Sequence, residues 1–124
     1  MGTVAAKRRI AVIDDDFDIR SMLTLVLEMD GYEVVAAANG QEALERLRSG
    51  PPTALILLDL MMPVMNGWQF RAAQKEDAGL ASIPVVVLSG DGNVAEKTAS
   101  IGAAGYLRKP IDLEALLETV KSYC

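Results

Sequence analysis

The sequence predicts an α/β fold: a three-layer α/β/α sandwich in which five parallel strands alternate with five helices. Three observations predict it. The apolar pattern switches repeatedly between short strand-like runs and helical stripes. Two of the runs, Thr53–Leu58 (TALILL) and Val85–Leu88 (VVVL), are continuously apolar, as strands covered on both faces are. No linker, repeat or low-complexity segment breaks the alternation, and parallel strands need crossover connections of the kind helices supply.

Taken in order, Arg9–Ile13 (RIAVI) reads as the first strand. Ile19, Met22, Leu23, Val26 and Leu27 then fall on one face of a helix, and Gly31 stands where that helix should stop. Tyr32–Ala37 (YEVVAA) is the second strand. Asn39 with Glu42 three residues on resembles a capping box, opening a helix through Ala43, Leu44 and Leu47 that Gly50-Pro51-Pro52 ends. Thr53–Leu58 is the third strand, followed by a weaker helical stretch from Gly67 to Glu76. Pro84 introduces the fourth strand, and residues 93–101 form a poorly amphipathic helix. Gly105–Leu107 is a short fifth strand. Asp112 is placed as an N-cap, and Leu113, Leu116, Leu117 and Val120 stripe the last helix.

At 124 residues the chain fits one domain, 1–124 with a core from about residue 8 to 122, and 51% hydrophobic residues suffice for a continuous core. A net charge of −5 argues against a basic surface for direct nucleic-acid binding. No apolar run approaches the roughly 20 residues of a membrane span, and MGTVAAKRR has no signal-peptide pattern. One cysteine, Cys124, rules out a disulfide framework within the chain, so a reducing, cytoplasmic setting is expected. Histidine is absent. That removes histidine bases and triads and leaves carboxylate, hydroxyl, lysine and hard-metal chemistry.

In open parallel sheets ligands bind beyond the carboxyl ends of the strands, so the residues just after each strand carry the functional reading. These are Asp14, Asp15 and Asp16 after the first strand, Asp59 after the third, Ser89 after the fourth, and Lys109-Pro110 after the fifth. Each has an ordinary explanation alone: helix capping, a turn, a solvated lysine. Met61, Met62 and Met65 read as packing. Together the strand-end residues place several carboxylates, a hydroxyl and an amine at one end of one sheet. Two carboxylates about 4 Å apart repel by roughly 4 kcal/mol at an effective dielectric of 20. A divalent cation is the natural compensation, and an all-oxygen donor set selects Mg²⁺, with Mn²⁺ able to substitute. Such a set suits phosphoryl transfer, where positioning and charge neutralisation dominate.

The blocks VIDDD (12–16), LLDLMMPVMNG (57–67), VVVLSG (85–90) and GYLRKP (105–110) closely resemble the receiver domain of two-component response regulators. The likeness runs from about Arg8 to Ser122. It implies a flavodoxin-like sheet of order 2-1-3-4-5. It also implies a signalling switch rather than an enzyme, catalysing only its own phosphorylation and dephosphorylation. Asp59 would be the phosphoacceptor. Asp14, Asp15, Asp59 and the backbone carbonyl of Met61 would hold Mg²⁺, with Asp16 left to cap the helix. Ser89 and Lys109 would bind phosphoryl oxygens. Ser89 and Tyr106 would form the switch, read out on the fourth helix, fifth strand and fifth helix. Gly67 would permit the turn after the acceptor strand, and the Lys109–Pro110 bond would be cis. The donor would be a phosphohistidine on a sensor histidine kinase or histidine phosphotransfer protein, the target an unidentified downstream protein, and the assembly a monomer or phosphorylation-dependent dimer.

Gly90 stands where the family more often has Ala. Met61 and Asp91 would flank the approach of water to the acceptor, and Trp68 is placed to report metal binding. Three other readings compete. One is a degenerate receiver acting purely as a binding module, which the presence of every required side chain disfavours. The Asp14-x-Asp16 pair with Ser89 and Lys109 also resembles haloacid-dehalogenase phosphatases, which need a further acidic motif beyond the lysine and leave the Asp59 block without purpose. A flavodoxin would need a phosphate-cradling loop where the acidic run lies.

Overall fold

The computed structural model describes residues 8–90 and 92–124, so the Asp91 reading lies outside the described residues. The elements are β1 (Arg9–Ile13), α1 (Phe17–Met29), β2 (Glu33–Ala37), α2 (Gly40–Ser49), β3 (Leu55–Asp59), α3 (Gly67–Glu76), β4 (Val85–Ser89), α4 (Val94–Ser100), β5 (Gly105–Arg108) and α5 (Leu113–Tyr123). The five strands pair in parallel in the flavodoxin-like order β2-β1-β3-β4-β5.

Alternation along the buried strands divides the core in two. Ala11, Ile13, Ile56, Leu58, Val85 and Val87 face one way, against Leu44 and Leu47 of α2, Phe70 of α3 and Val94 of α4. Their neighbours Ile10, Val12, Leu55, Leu57, Val86 and Leu88 face Leu23 and Leu27 of α1 and Leu116 and Val120 of α5. Two opposed helical layers explain why β3 and β4 carry no polar alternation. Burying each large aliphatic side chain contributes roughly 1.5–3 kcal/mol.

The helix ends follow local chemistry. Asp16 caps α1 by accepting from the N–H groups of Asp18 and Ile19. Gly31, at φ +93°, closes α1 in a Schellman motif: its N–H donates to the Glu28 carbonyl and the Tyr32 N–H to the Leu27 carbonyl. Asn39 caps α2 as expected, but Glu42 reaches back to the N–H of Ala38, one residue earlier than a capping box requires. The complete capping box is on α3, between Asn66 and Gln69. Asp112 caps α5. The weak α4 is seven residues long and buries Val94, Thr98 and the following Ile101 in a single line.

Several sequence expectations are corrected. Strand β3 starts at Leu55 and ends on Asp59 itself, because Ala54 already turns to donate its N–H to the Arg9 carbonyl. Met22 and Leu113 are exposed rather than buried, since α1 and α5 present narrower faces to the sheet than the stripes suggested. Met61 is 68% exposed, so of the three methionines only Met62 and Met65 pack. Among the described residues no helix is long and apolar enough to cross a membrane.

One buried polar group ties the α3–β4 connection. Gln74 is fully buried; its Nε2 donates to the carbonyls of Leu80 and Ile83, both at 3.0 Å, and its Oε1 accepts from Arg71. Replacing it by leucine takes the side-chain donor from the buried Ile83 carbonyl and leaves the Leu80 carbonyl only the Ile83 N–H. Gln74→Leu should therefore cost about 2 kcal/mol, seen as a lower urea midpoint with an unchanged m-value.

Candidate functional site

The register brings the strand-end residues together. Ile13 is paired with Leu58, so Asp14 and Asp59 follow at the same level on adjacent strands. Asp59 lies beside Leu88, placing Ser89 one step further along β4, and Ser89 lies beside Arg108, with Lys109 next. One carboxylate oxygen each from Asp14, Asp15 and Asp59 lies within 4.8 Å of the others. Asp14 and Asp59 are 0% and 6% exposed; Asp15 is open to solvent.

Asp14 is fixed at every polar atom. Its N–H donates to the Ala37 carbonyl, and its carbonyl accepts from Arg20 Nη1 at 2.8 Å. Its Oδ1 accepts from the Asp16 N–H at 2.9 Å. Its Oδ2 pairs with Lys109 Nζ at 2.8 Å, an ion pair lying off the line of a directed hydrogen bond. Asp59 is held far more loosely. The Met61 N–H approaches its Oδ1 at 3.3 Å, and Lys109 Nζ stands 3.8 Å from its Oδ2.

The electrostatics follow from that asymmetry. Burial, then the charge of Asp14, pushes the Asp59 carboxyl up to about 6, against the opposing pull of Lys109 and the Met61 N–H. Burial works to lower the Lys109 ammonium, but contact with Asp14 and the charges of Asp59 and Asp15 outweigh it and hold it raised. The lysine stays charged and is drawn chiefly to Asp14. The all-oxygen donor set, an excess of negative charge and a buried Asp14 oxygen without a directed hydrogen bond fit a hard divalent cation.

The supporting residues sit as follows. Ser89 is buried at the end of β4, and Lys109 donates its N–H to the Ser89 carbonyl. The Lys109–Pro110 peptide is cis. Gly67 is not at positive φ; a Cβ there would meet Leu60 Cα at 2.7 Å and the Asp59 carbonyl oxygen at 2.9 Å, so close backbone approach excludes a side chain. At Gly90 a Cβ would make ordinary contact with Lys109 Cβ at 3.7 Å, so space does not demand glycine. Tyr106 points outward, 42% exposed, with the Arg108 guanidinium 5.9 Å from its ring centre. Trp68, the second residue of α3, is partly buried against the core. Sequence reasoning missed the N–H of Met61 and the Arg20 side chain; a cation in the first turn of a helix, against the macrodipole, was the available signal for the latter.

The family model described as "Response regulator receiver domain" matches residues 10–121. The chain belongs to this family. Protein PilH of Pseudomonas aeruginosa is 34% identical over 116 residues, covering 92% of this chain and 95% of that protein. Response regulator MprA of Mycobacterium ulcerans is 40% identical over 116 residues, covering 92% of this chain but 49% of its own length. This receiver thus spans about half the length of MprA and of several other relatives it matches. Among solved structures, the chemotaxis response regulator CheY4 of Vibrio cholerae superposes with a TM-score of 0.87 at 31% identity, covering 96% of this chain and all of that one. Receiver domains of this kind are signalling switches of two-component systems.

A carboxyl whose folded pKa lies above its unfolded value binds extra protons in the folded state, so its stabilising effect is lost as pH rises through the window from about 4 to about 6. In metal-free buffer at pH 7 Asp59→Asn should therefore raise stability by about 1 kcal/mol, after discounting for solvent at the pocket mouth. The difference should vanish by about pH 4 in paired thermal unfolding curves.

Proposed function

We propose that the chain acts as a single phosphoacceptor unit in a two-component phosphorelay, with Asp59 as the acceptor. The observation that carries this reading is the contrast between two neighbouring carboxylates. Asp14 is immobilised and ion-paired at 2.8 Å, while Asp59, raised to about 6, has among the described residues a 3.3 Å N–H contact, a cation at 3.8 Å and the neighbouring Asp15 carboxyl. At pH 7 Asp59 is ionised yet weakly engaged, which is the state an oxygen nucleophile needs.

Asp14, Asp15, Asp59 and the Met61 carbonyl would hold Mg²⁺, or Mn²⁺ in its place. When bound, the cation neutralises charge on the pocket and on phosphoryl oxygens. The histidine-free chain takes its phosphoryl group from another protein, a sensor kinase or histidine phosphotransfer protein. A carboxylate oxygen of Asp59 forms the new P–O bond as the donor's P–N bond breaks, the electron pair leaving with the imidazole. Lys109 stands on the Oδ2 side of Asp59 to pair a phosphoryl oxygen, and the Ser89 hydroxyl binds another.

The added group brings nearly two negative charges into the pocket. Ser89 is drawn towards it, and Tyr106, now outward, turns in. The α4–β5–α5 surface thereby changes shape for a downstream protein, without contact to nucleic acid or membrane, in the cytoplasm. The short α4, which buries one line of side chains and leaves its other faces to solvent, supports its place in that surface. The chain catalyses only its own phosphorylation and dephosphorylation.

Incubation with Mg²⁺ and acetyl phosphate should add one phosphoryl group by intact mass. Asp59→Asn should abolish the adduct, chelation should prevent it, and Lys109→Ala should slow its formation at least about tenfold. Steady release of phosphate from many esters, lost in Asp14→Asn, would instead indicate a phosphatase.

A further inference from the structure

We propose that Arg20 is a positioning residue for the acidic pocket: by gripping the main-chain carbonyl of Asp14, it fixes the Asp14 carboxylate in its cation-binding orientation. This rests on the reading of the pocket as a Mg²⁺ site, and goes beyond it by assigning a role to a residue outside the pocket's donor set.

Arg20 is the fourth residue of α1, where the helix dipole disfavours a cation. It is nonetheless half-buried, with its guanidinium 5.7 Å from the centre of the exposed Phe17 ring and Nη1 2.8 Å from the Asp14 carbonyl oxygen. That hydrogen bond crosses the turn that carries the acidic pair. It completes the set holding Asp14: Ala37 on its N–H, Asp16 on Oδ1, Lys109 on Oδ2 and Arg20 on its carbonyl. The two side-chain contacts orient the carboxylate only if the backbone that bears it is stationary. The Arg20 bond supplies the anchor at the carbonyl, and the Phe17 ring shields one face of the guanidinium from water. Groups that orient a metal-binding side chain through its second contact typically change metal affinity about 10–100-fold when removed.

The sign of the effect separates positioning from charge. Arg20 is a cation near a cation site, so electrostatics alone would have its removal tighten Mg²⁺ binding. Positioning requires the opposite. Titration of MgCl₂ into the metal-free protein by calorimetry should show Arg20→Met binding about tenfold more weakly than the wild type. Arg20→Lys, with the same charge and a single donor group on a shorter stem, should be weaker by a few-fold. Amide exchange of Asp16, whose N–H is held by Asp14 Oδ1, should quicken in the same order. If Arg20→Met does not fold, Arg20→Lys decides: weaker binding than wild type supports the assignment. Equal or tighter Mg²⁺ binding by either folded variant overturns it, as does weaker binding with Asp16 exchange unchanged, and both leave the phosphoacceptor reading standing. Absence of Mg²⁺ binding by the wild type would instead remove that reading, and this assignment with it.

Discussion

The structure around the site depends on one constraint: three carboxylates, two of them buried, share a space in which one oxygen from each lies within 4.8 Å of the others, with the Lys109 ammonium to offset them. The backbone imposes it. The β1–β3 register sets Asp14 and Asp59 level on neighbouring strands, and β5 delivers Lys109 from two strands away. Like charges at such distances repel by several kcal/mol even at a protein-like effective dielectric. The sheet itself is strong enough to hold them there, because its core strands are covered on both faces by apolar side chains.

The single lysine resolves this constraint unequally. At 2.8 Å it satisfies Asp14, and at 3.8 Å it only moderates Asp59. One carboxylate becomes a fixed element and the other a reactive one. The same inequality makes the pocket a receptor for positive charge and, once a cation is present, for a phosphoryl group. Charge imbalance, metal affinity and nucleophile activation are then three consequences of one arrangement. A phosphoryl group alters that balance, and the surrounding elements differ in how firmly they resist. Helix α3 is tied through Arg71 and Gln74 to the α4 C-terminus and the α3–β4 loop. At its other end α4 is held by the fully buried Val94.

Much of this was legible in the sequence because it rests on local signals. Strand β1 matches its reading residue for residue, and Asp16, Asn39 and Asp112 cap the helices they precede. A carboxylate ending a fully apolar run, as Asp59 does, has few structural reasons to exist. What escaped notice depends on tertiary geometry. Met22 and Leu23 are both apolar, and only the narrow face that α1 lays on the sheet decides that the first is exposed. Gly67 reads as a turn residue, but its actual reason is the backbone of Leu60 and Asp59 lying under 3 Å from where a Cβ would be. Arg9 begins a strand, yet its guanidinium is buried against the carbonyls of Pro51 and Arg46, at the C-terminal end of α2. Gln74 and Arg20 look like surface residues until the loops they hold are folded against them.

Titration of the Asp59 carboxyl carbon by NMR, first without metal and then at saturating Mg²⁺, reaches the crowding itself. If burial and the neighbouring charge of Asp14 govern the pocket, the midpoint lies near pH 6 in the metal-free protein and falls below about 4, the ordinary carboxylate value, once the cation is bound. A midpoint near 4 without metal, unmoved by Mg²⁺, would contradict it.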